Sequence, residues 1–336
     1  MTEQARRLVL AERPTAAVDD KTARLETVDV PEPGPGAALV RTRFISIDPT
    51  IRTWMNDAPG YLPPIQIDEV VRSAGVGEVV ESNSDRYPLG QLVFGMTGWQ
   101  DYIVADEGER TMQLLPDGID PTAALSVFGT TGMTAYFGLL DVGRVKEGDT
   151  VVVSGAAGAT GSTVGQIARI KGAGRVVGIA GSDEKCAWLV DELGFDAAIN
   201  YKEPDVSGRL RAACPDGIDL YFDNVGGELL DICLGQLAMR GRVVLCGAIA
   251  SYNEAGPPPG PRNYINLLVR RGRMEGFIIL DYLDRFAEGQ KEMAEWVAEG
   301  KVKFAVHLVD GLEQAPSALN LLFTGGNRGK VIVRVE

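Results

Sequence analysis

The stretch VVVSGAAGATGSTVGQIARI, residues 151–170, decides the fold. An apolar strand runs into glycines at 155, 158 and 161, and a helix-like segment follows with Gly165 one turn later. The G-x-G-x-x-G spacing of the dinucleotide fingerprint is not kept, but its context is, since the turn follows a buried strand and opens a helix. Gly155 ends the strand, Gly158 lets backbone approach a pyrophosphate, and Gly161 lets the helix sit against the sheet. The helix start then offers N–H groups and a partial positive charge to phosphate. No Lys-Ser/Thr pair closes the turn, so a Walker-type site is disfavoured.

From about 150 onward strands and helices alternate. TVVVSG, RVVGIAG, AAINY, IDLYFDNVG and RVVLCGAI read as strands, with helices expected from about 161, over 184–193, around 206–213 and over 227–238. The strands are rich in Val and Ile with few polar positions, as strands covered on both faces are. This is the pattern of an α/β Rossmann fold, a doubly wound parallel sheet. A Pro-rich stretch, GPPPGPRNY (256–264), precedes one more unit, RMEGFIIL and a helix at 284–299. Residues 1–125 have another texture. LVRTRFISI (39–47), GVGEVVES (75–82), GQLVFGM (90–96) and QDYIVAD (100–106) are short strands between Gly, Pro, Asn and Asp clusters, which suggests a small all-β barrel. A strand around 304–309, a helix around 312–323 and the last strand GKVIVRV are expected to return to that first domain. The expected domains are therefore 1–125, 126–303 and 304–336.

With 336 residues and a formal net charge of −13, the chain lacks the basic surface that nucleic acid requires. No apolar run reaches the roughly 18–20 residues that span a bilayer. The opening MTEQARRLVLAERP places charges on both sides of a short apolar patch, unlike a signal peptide. Cys186, Cys214, Cys233 and Cys246 show no C-x-x-C pair, and His307 is the one histidine. That set suits neither a disulfide framework nor a zinc site, and it fits four thiols in a reducing cytoplasm.

In NAD-binding units an acid about 20 residues past the glycines takes the ribose hydroxyls. Here the strand end is Ala180-Gly181-Ser182, with no carboxylate. Asp183 and Glu184 follow Ser182 as the first turn of a capped helix. Lys185, one turn in, can reach back toward a 2′-phosphate, the alternative being a solvated helix lysine. A charge-assisted hydrogen bond of roughly 1.5–3 kcal/mol would favour NADPH. Tyr201, at the next strand end, is placed to join it.

Together GAAGATG, AGSDEK, GFDAAINYK, DNVGG, CGAIASYN, PPGPRNY, RMEGFIIL and GGNRGK resemble the zinc-independent medium-chain dehydrogenases/reductases. They are most similar to the prostaglandin reductase and curcumin reductase group. The likeness spans nearly the whole chain, with GWQDY at 98–102 and FGTTGMTAYFGLLD at 128–141. It implies a GroES-like barrel plus a Rossmann domain, a homodimer, and an active site in the cleft between the domains. It also implies NADPH-dependent reduction of a C=C bond conjugated to a carbonyl in a small enone or enal. Carried over motif by motif, Gly158, Ala159, Thr160 and Gly161 would line the pyrophosphate, with Lys185 and Tyr201 at the 2′-phosphate. Asn224, Cys246, Gly247, Ala248, Ile249, Ser251, Tyr252, Phe277, Ile278, Ile279 and Asn327 would surround the nicotinamide half. Two departures are Gly155, where the family often has alanine, and Arg328, where relatives often carry an apolar residue at the cleft rim.

Without metal or a usable histidine, hydroxyl and backbone donors remain for the chemistry. Tyr252 is a candidate for the nicotinamide ribose or the substrate oxygen, and Tyr61, in DAPGYLPP, for proton donation; solvent is the alternative donor. Arg52 and Trp54, in DPTIRTW, either line the cleft or form a structural helix turn. The competing functions are an NADPH-dependent quinone reductase of the same fold, a classical alcohol dehydrogenase, which the missing zinc ligands disfavour, and a non-catalytic NADPH-binding module. A panel of enones, enals and quinones separates them.

Overall fold

In the computed structural model, residues 3–19, 21–108, 112–254, 256 and 258–335 are described. The chain divides into two compact units, one of residues 1–125 with 306–336 and one of residues 126–305.

The first unit begins with β1 (Gln4–Leu10) and β2 (Ala23–Asp29), an antiparallel pair. Its main sheet takes β3 (Ala37–Ile47), β4 (Gly75–Ser82), β5 (Leu92–Gly95), β6 (Tyr102–Asp106) and β7 (Met112–Leu114). Two short helices, α1 (Thr50–Trp54) and α2 (Pro121–Leu125), lie between and after them.

The second unit holds α3 (Thr130–Phe137), then the strands β8 (Thr150–Ser154), β9 (Arg175–Ala180), β10 (Ala197–Asn200), β11 (Ile218–Asp223), β12 (Leu237–Leu245) and β13 (Arg273–Gly276). Between them run α4 (Ala159–Ile170), α5 (Asp183–Asp191), α6 (Val206–Ala213), α7 (Gly227–Leu234) and α8 (Ile265–Arg270), and α9 (Phe286–Ala298) follows. The order is β10-β9-β8-β11-β12-β13, every pair parallel, which is the doubly wound 3-2-1-4-5-6 arrangement with its switch point between β8 and β11. Val151, Val152 and Val153 are fully buried, as the unbroken apolar run requires. Gly165 is fixed by packing, since a Cβ there would lie 2.0 Å from the Phe195 ring.

Two expected helices differ in extent. The helix expected over 227–238 stops at Leu234, because Gly235 caps it and Leu237 already pairs with Ile218 as strand. The helix expected at 284–299 begins at Phe286, after a 3-10 segment over Ile279–Arg285.

The chain then re-enters the first unit with β14 (Val306–Asp310), α10 (Ala315–Thr324) and β15 (Lys330–Arg334). β15 pairs antiparallel with β3 and parallel with β14, so His307 lies mid-strand, opposite Val331. The sheet order is β14-β15-β3-β4-β5-β7, with β6 also on β3. Among the described residues this mixed sheet does not close into the expected barrel. β7 has three residues with only Met112 buried, which offers little edge for a closing strand. The core under the sheet gathers Trp99, Ile45, Ile47, Ile51, Met55, Leu319 and Val331.

Candidate functional site

The register of the second sheet brings the ends of separate strands side by side. Asp223 stands opposite Leu245, and Leu245 opposite Gly276. The turns that follow β8, β11, β12 and β13 therefore line one carboxyl edge, where ligands bind in open α/β sheets. They carry Gly158–Gly161, Asn224, Cys246–Tyr252 and Phe277–Ile279. Motifs scattered between residues 158 and 279 thus become one row.

In the glycine turn, Gly155 takes a left-handed φ of 57°. Gly158 is the N-cap of α4 and supplies no side-chain cap, so the first-turn N–H groups of Ala159, Thr160 and Gly161 have no intrahelical acceptor. A Cβ on Gly161 would lie 2.4 Å from the Gly155 carbonyl oxygen, so only glycine lets the helix start this close to the strand end. These features fit a pyrophosphate.

At the ends of β9 and β10 a second corner forms. Ser182 caps α5, its hydroxyl accepting from Lys185 N–H, with Asp183 and Glu184 in the first turn. Asp183 Oδ1 accepts from Asn200 Nδ2 at 2.9 Å, which commits that carboxylate to the neighbouring strand. Tyr201 lies against Gly181, where an added Cβ would meet its hydroxyl at 3.2 Å. The Lys185 ammonium is depressed below its ordinary pKa by burial and then by repulsion from Lys202, with Glu184 opposing. Lys202 is thus a second cation at this corner that sequence reading missed. Its only signal was its place beside Tyr201 in the strand-end motif INYK.

The third cluster joins β8, β11 and the turn after β12. Asp223 is fully buried, and its Oδ1 accepts from the hydroxyls of Ser154 and Tyr221 and the N–H groups of Val225 and Gly226, at 2.8–3.0 Å. Burial raises the Asp223 carboxyl, and the Gly226 N–H leads the hydrogen bonds that pull it back down. Asn224 donates from Nδ2 to the Ser154 carbonyl at 2.7 Å, and its own carbonyl accepts from Ile249 N–H at 3.3 Å. Cys246 and Gly247 donate N–H to the Asp223 carbonyl. Burial, with Asp223 adding to it, pushes the Cys246 thiol up to about 12, so it remains a neutral thiol. The Tyr252 hydroxyl accepts from Ala248 N–H at 3.1 Å, and Ser251 Oγ donates to the Ala248 carbonyl at 2.9 Å. Tyr252 and Ser251 thereby hold the shape of the 246–252 turn. Part of the following loop, Ala255 and Pro257, lies outside the described residues.

After β13 the Phe277 ring meets Tyr282 edge-on at 6.3 Å and packs where a Cβ on Gly138 would stand. Phe277 is thus an inward packing residue, while Ile278 and Ile279 start the 3-10 segment.

The remaining candidates belong to the first unit. Arg52 is 2 % exposed, and its guanidinium donates to the carbonyls of Pro14 and Ala16 and to Asn56. These three bonds lie inside its own unit, in keeping with the structural alternative, and make it a clamp on the 14–16 loop. Trp54 meets Tyr61 edge-on at 6.3 Å with Arg72 over its face. Tyr61 is 44 % exposed, yet burial still raises its phenol, with Thr50 and Trp54 drawing it the other way. Asn327 is buried and donates from Nδ2 to the Gly329 carbonyl at 3.0 Å.

A doubly wound sheet with a phosphate-ready helix start and a cationic corner at the next strand end defines a dinucleotide-binding oxidoreductase. Comparison with known proteins narrows this. Residues 6–114 match the family model described as the N-terminal domain of oxidoreductase, and residues 159–299 match that of zinc-binding dehydrogenase. The NADPH-dependent curcumin reductase of Escherichia coli is 44 % identical, covering 99 % of this chain and 97 % of the relative. Prostaglandin reductase 1 of Rattus norvegicus is 39 % identical over 94 % of each chain. The crystal structure of CurA in complex with NADPH from Vibrio vulnificus superposes with a TM-score of 0.93 at 43 % identity, covering 98 % of this chain and 99 % of that one. The chain belongs to the medium-chain dehydrogenase/reductase family, in the group that holds curcumin reductase and prostaglandin reductase.

The zinc in the second family description does not fit the residues present. Among the described residues no group of three or more His, Cys, Asp and Glu could hold a metal ion. Cys214 and Cys233 are buried, with thiols raised by that burial.

Proposed function

We propose that this enzyme uses NADPH to reduce the carbon–carbon double bond of α,β-unsaturated ketones and aldehydes. The observation that carries the cofactor choice is the corner of Gly181, Lys185, Tyr201 and Lys202, where two cations stand and the first acid after the strand, Asp183, is held by Asn200. The substrate class is supported by whole-length similarity to the curcumin and prostaglandin reductases.

Bound NADPH supplies the hydride for such a reaction. The chain's part is binding, orientation and proton handling. The Ala159, Thr160 and Gly161 amides receive the pyrophosphate, and Lys185 with Tyr201 and Lys202 receives the 2′-phosphate. Asn224 and the 246–252 turn, braced by Tyr252, would hold the nicotinamide half. Negative charge that grows on the carbonyl oxygen is met by hydroxyl and N–H donors. Tyr61 keeps its proton across the neutral range, because burial raises an already weak acid, and it is the donor we assign to the α-carbon.

We also assign the protein to a homodimer in the cytoplasm. β13 is an edge strand of its sheet, and the adjoining α8 exposes Leu268 (73 %) and Val269 (55 %), a face that a second copy would cover. Four unpaired cysteines suit a reducing compartment. The test is a panel of enones, enals and quinones with NADPH and NADH, run on enzyme of known mass in solution. Faster turnover of quinones than of enones, or cofactor binding without oxidation, contradicts the proposal.

A further inference from the structure

At the opposite edge of the same sheet, six cationic side chains line one open pocket of about 350 Å³: Arg144, Lys146, Arg240, Arg242, Arg271 and Arg273. No acidic residue shares the lining. This concentration stands out in a chain whose net charge is −13. The pocket is remote from the nucleotide edge. Arg273 opens β13 and is paired with Arg242 of β12, whereas the cofactor turns follow Leu245 and Gly276. Three residues of strand, about 10 Å, separate the two levels.

Three further observations set this cluster apart from ordinary surface charge. First, five non-glycine residues among those described have positive φ, and three of them are Arg144 (50°), Arg240 (63°) and Arg271 (50°). Long side chains rarely take this conformation, and such strain gathers where a fold holds a functional group in place. Second, Arg242 and Arg273 stand directly opposite in register, a like-charge pair that disfavours the sheet unless it is neutralised. Compensation within the fold is partial. Asp149 pairs with Arg242, Glu275 reaches Arg273 only at 3.7 Å, and another Arg273 nitrogen donates to the Val142 carbonyl. Third, Nε of Arg242 is buried without an acceptor among the described residues, an uncompensated donor of the kind native interiors avoid.

From these we infer that the pocket is an anion site, separate from the cofactor site, that takes a small molecule bearing two or more phosphoryl charges. Guanidinium groups suit such a ligand, since each presents paired N–H donors that match phosphate oxygens. A pocket of this size holds a compact oligophosphate or a phosphorylated metabolite, and its six cations favour an anionic ligand.

The experiment titrates the full-length enzyme, saturated with NADPH to occupy the cofactor site, with inorganic pyrophosphate by calorimetry at constant ionic strength. Orthophosphate, citrate and sodium chloride serve as comparators. The same titrations are run on Arg240→Asn/Arg271→Asn, since asparagine tolerates positive φ while removing the charge, and on Arg144→Gly. A saturable pyrophosphate isotherm, weaker for orthophosphate and citrate, is expected for the wild type. In the double variant the affinity should fall at least ~tenfold with NADPH affinity unchanged, and Arg144→Gly should weaken binding in the same direction. A thermal melt without ligand confirms that each variant is folded. Absence of a saturable isotherm in the wild type, an equal response to chloride, or undiminished binding by both folded variants would overturn the assignment. Citrate binding as tight as pyrophosphate would overturn the phosphoryl specificity.

Discussion

The Ser154 hydroxyl donates to Asp223 Oδ1 at 2.9 Å, tying the end of β8 to the end of β11 at the switch point of the sheet. Because Asp223 also holds Tyr221, Val225 and Gly226, one buried carboxylate braces the turns on both sides of the nucleotide edge. Asp223→Ala would leave those buried donors without their acceptor. At about 1–3 kcal/mol for an orphaned group, the loss should reach roughly 3–5 kcal/mol, read as a shift of the denaturant midpoint. Asp223→Asn keeps an oxygen at that place and should lose clearly less. Equal losses would mean that the hydrogen bonds are not what matters there.

Tyr252 acts through a neighbour. Its hydroxyl accepts from Ala248 N–H, so Tyr252→Phe should loosen the 246–252 turn and raise KM for NADPH several-fold along with a fall in kcat. A fall in kcat alone would instead make Tyr252 a direct partner of the substrate.

Tyr61→Phe is expected to behave differently. A positioned proton donor contributes about 10²–10⁴-fold, so enone turnover should drop at least ~tenfold while KM for NADPH stays constant. Unchanged turnover would leave the proton to solvent.

The pH response follows from Lys185. Its pKa is depressed below the ordinary lysine value, chiefly by burial, and a 2′-phosphate prefers the protonated form, which exists below that pKa. KM for NADPH should therefore rise as pH climbs through the depressed value, ahead of an ordinary lysine, while KM for NADH stays flat. Lys185→Ala should raise KM for NADPH by roughly 10- to 150-fold, the equivalent of one charge-assisted hydrogen bond. The profile should flatten in that variant. A parallel rise for both cofactors would place the titration elsewhere.

Much of the second unit was legible because local signals agree there. The Val-Val-Val run, the three glycines and the Ser-Asp-Glu cap each specify one element, and α6 matches the expected 206–213 span. What escaped depends on pairing between distant segments. Lys202 reaches the Lys185 corner only because β10 lies beside β9. Asp223 reads as an ordinary strand-end acid until β8 brings Ser154 to it. Arg52 stays undecided between cleft and structural roles in the sequence, because nothing local reveals that the carbonyls of Pro14 and Ala16 fold back over it. The six-cation pocket draws on three separate segments, 144–146, 240–242 and 271–273, each unremarkable in isolation. β1 and β2 are joined by an antiparallel register that sets Arg7 opposite Glu26, a pairing that neither segment reveals alone.

Lys185 in α5 and Lys202 just past β10, rather than an acid, would select the cofactor for alkene reduction. The most direct measurement is kcat/KM with NADPH and with NADH, using one enone at saturation. At least a ~tenfold preference for NADPH is expected, from one charge-assisted contact. Equal use of the two, or a preference for NADH, would contradict it.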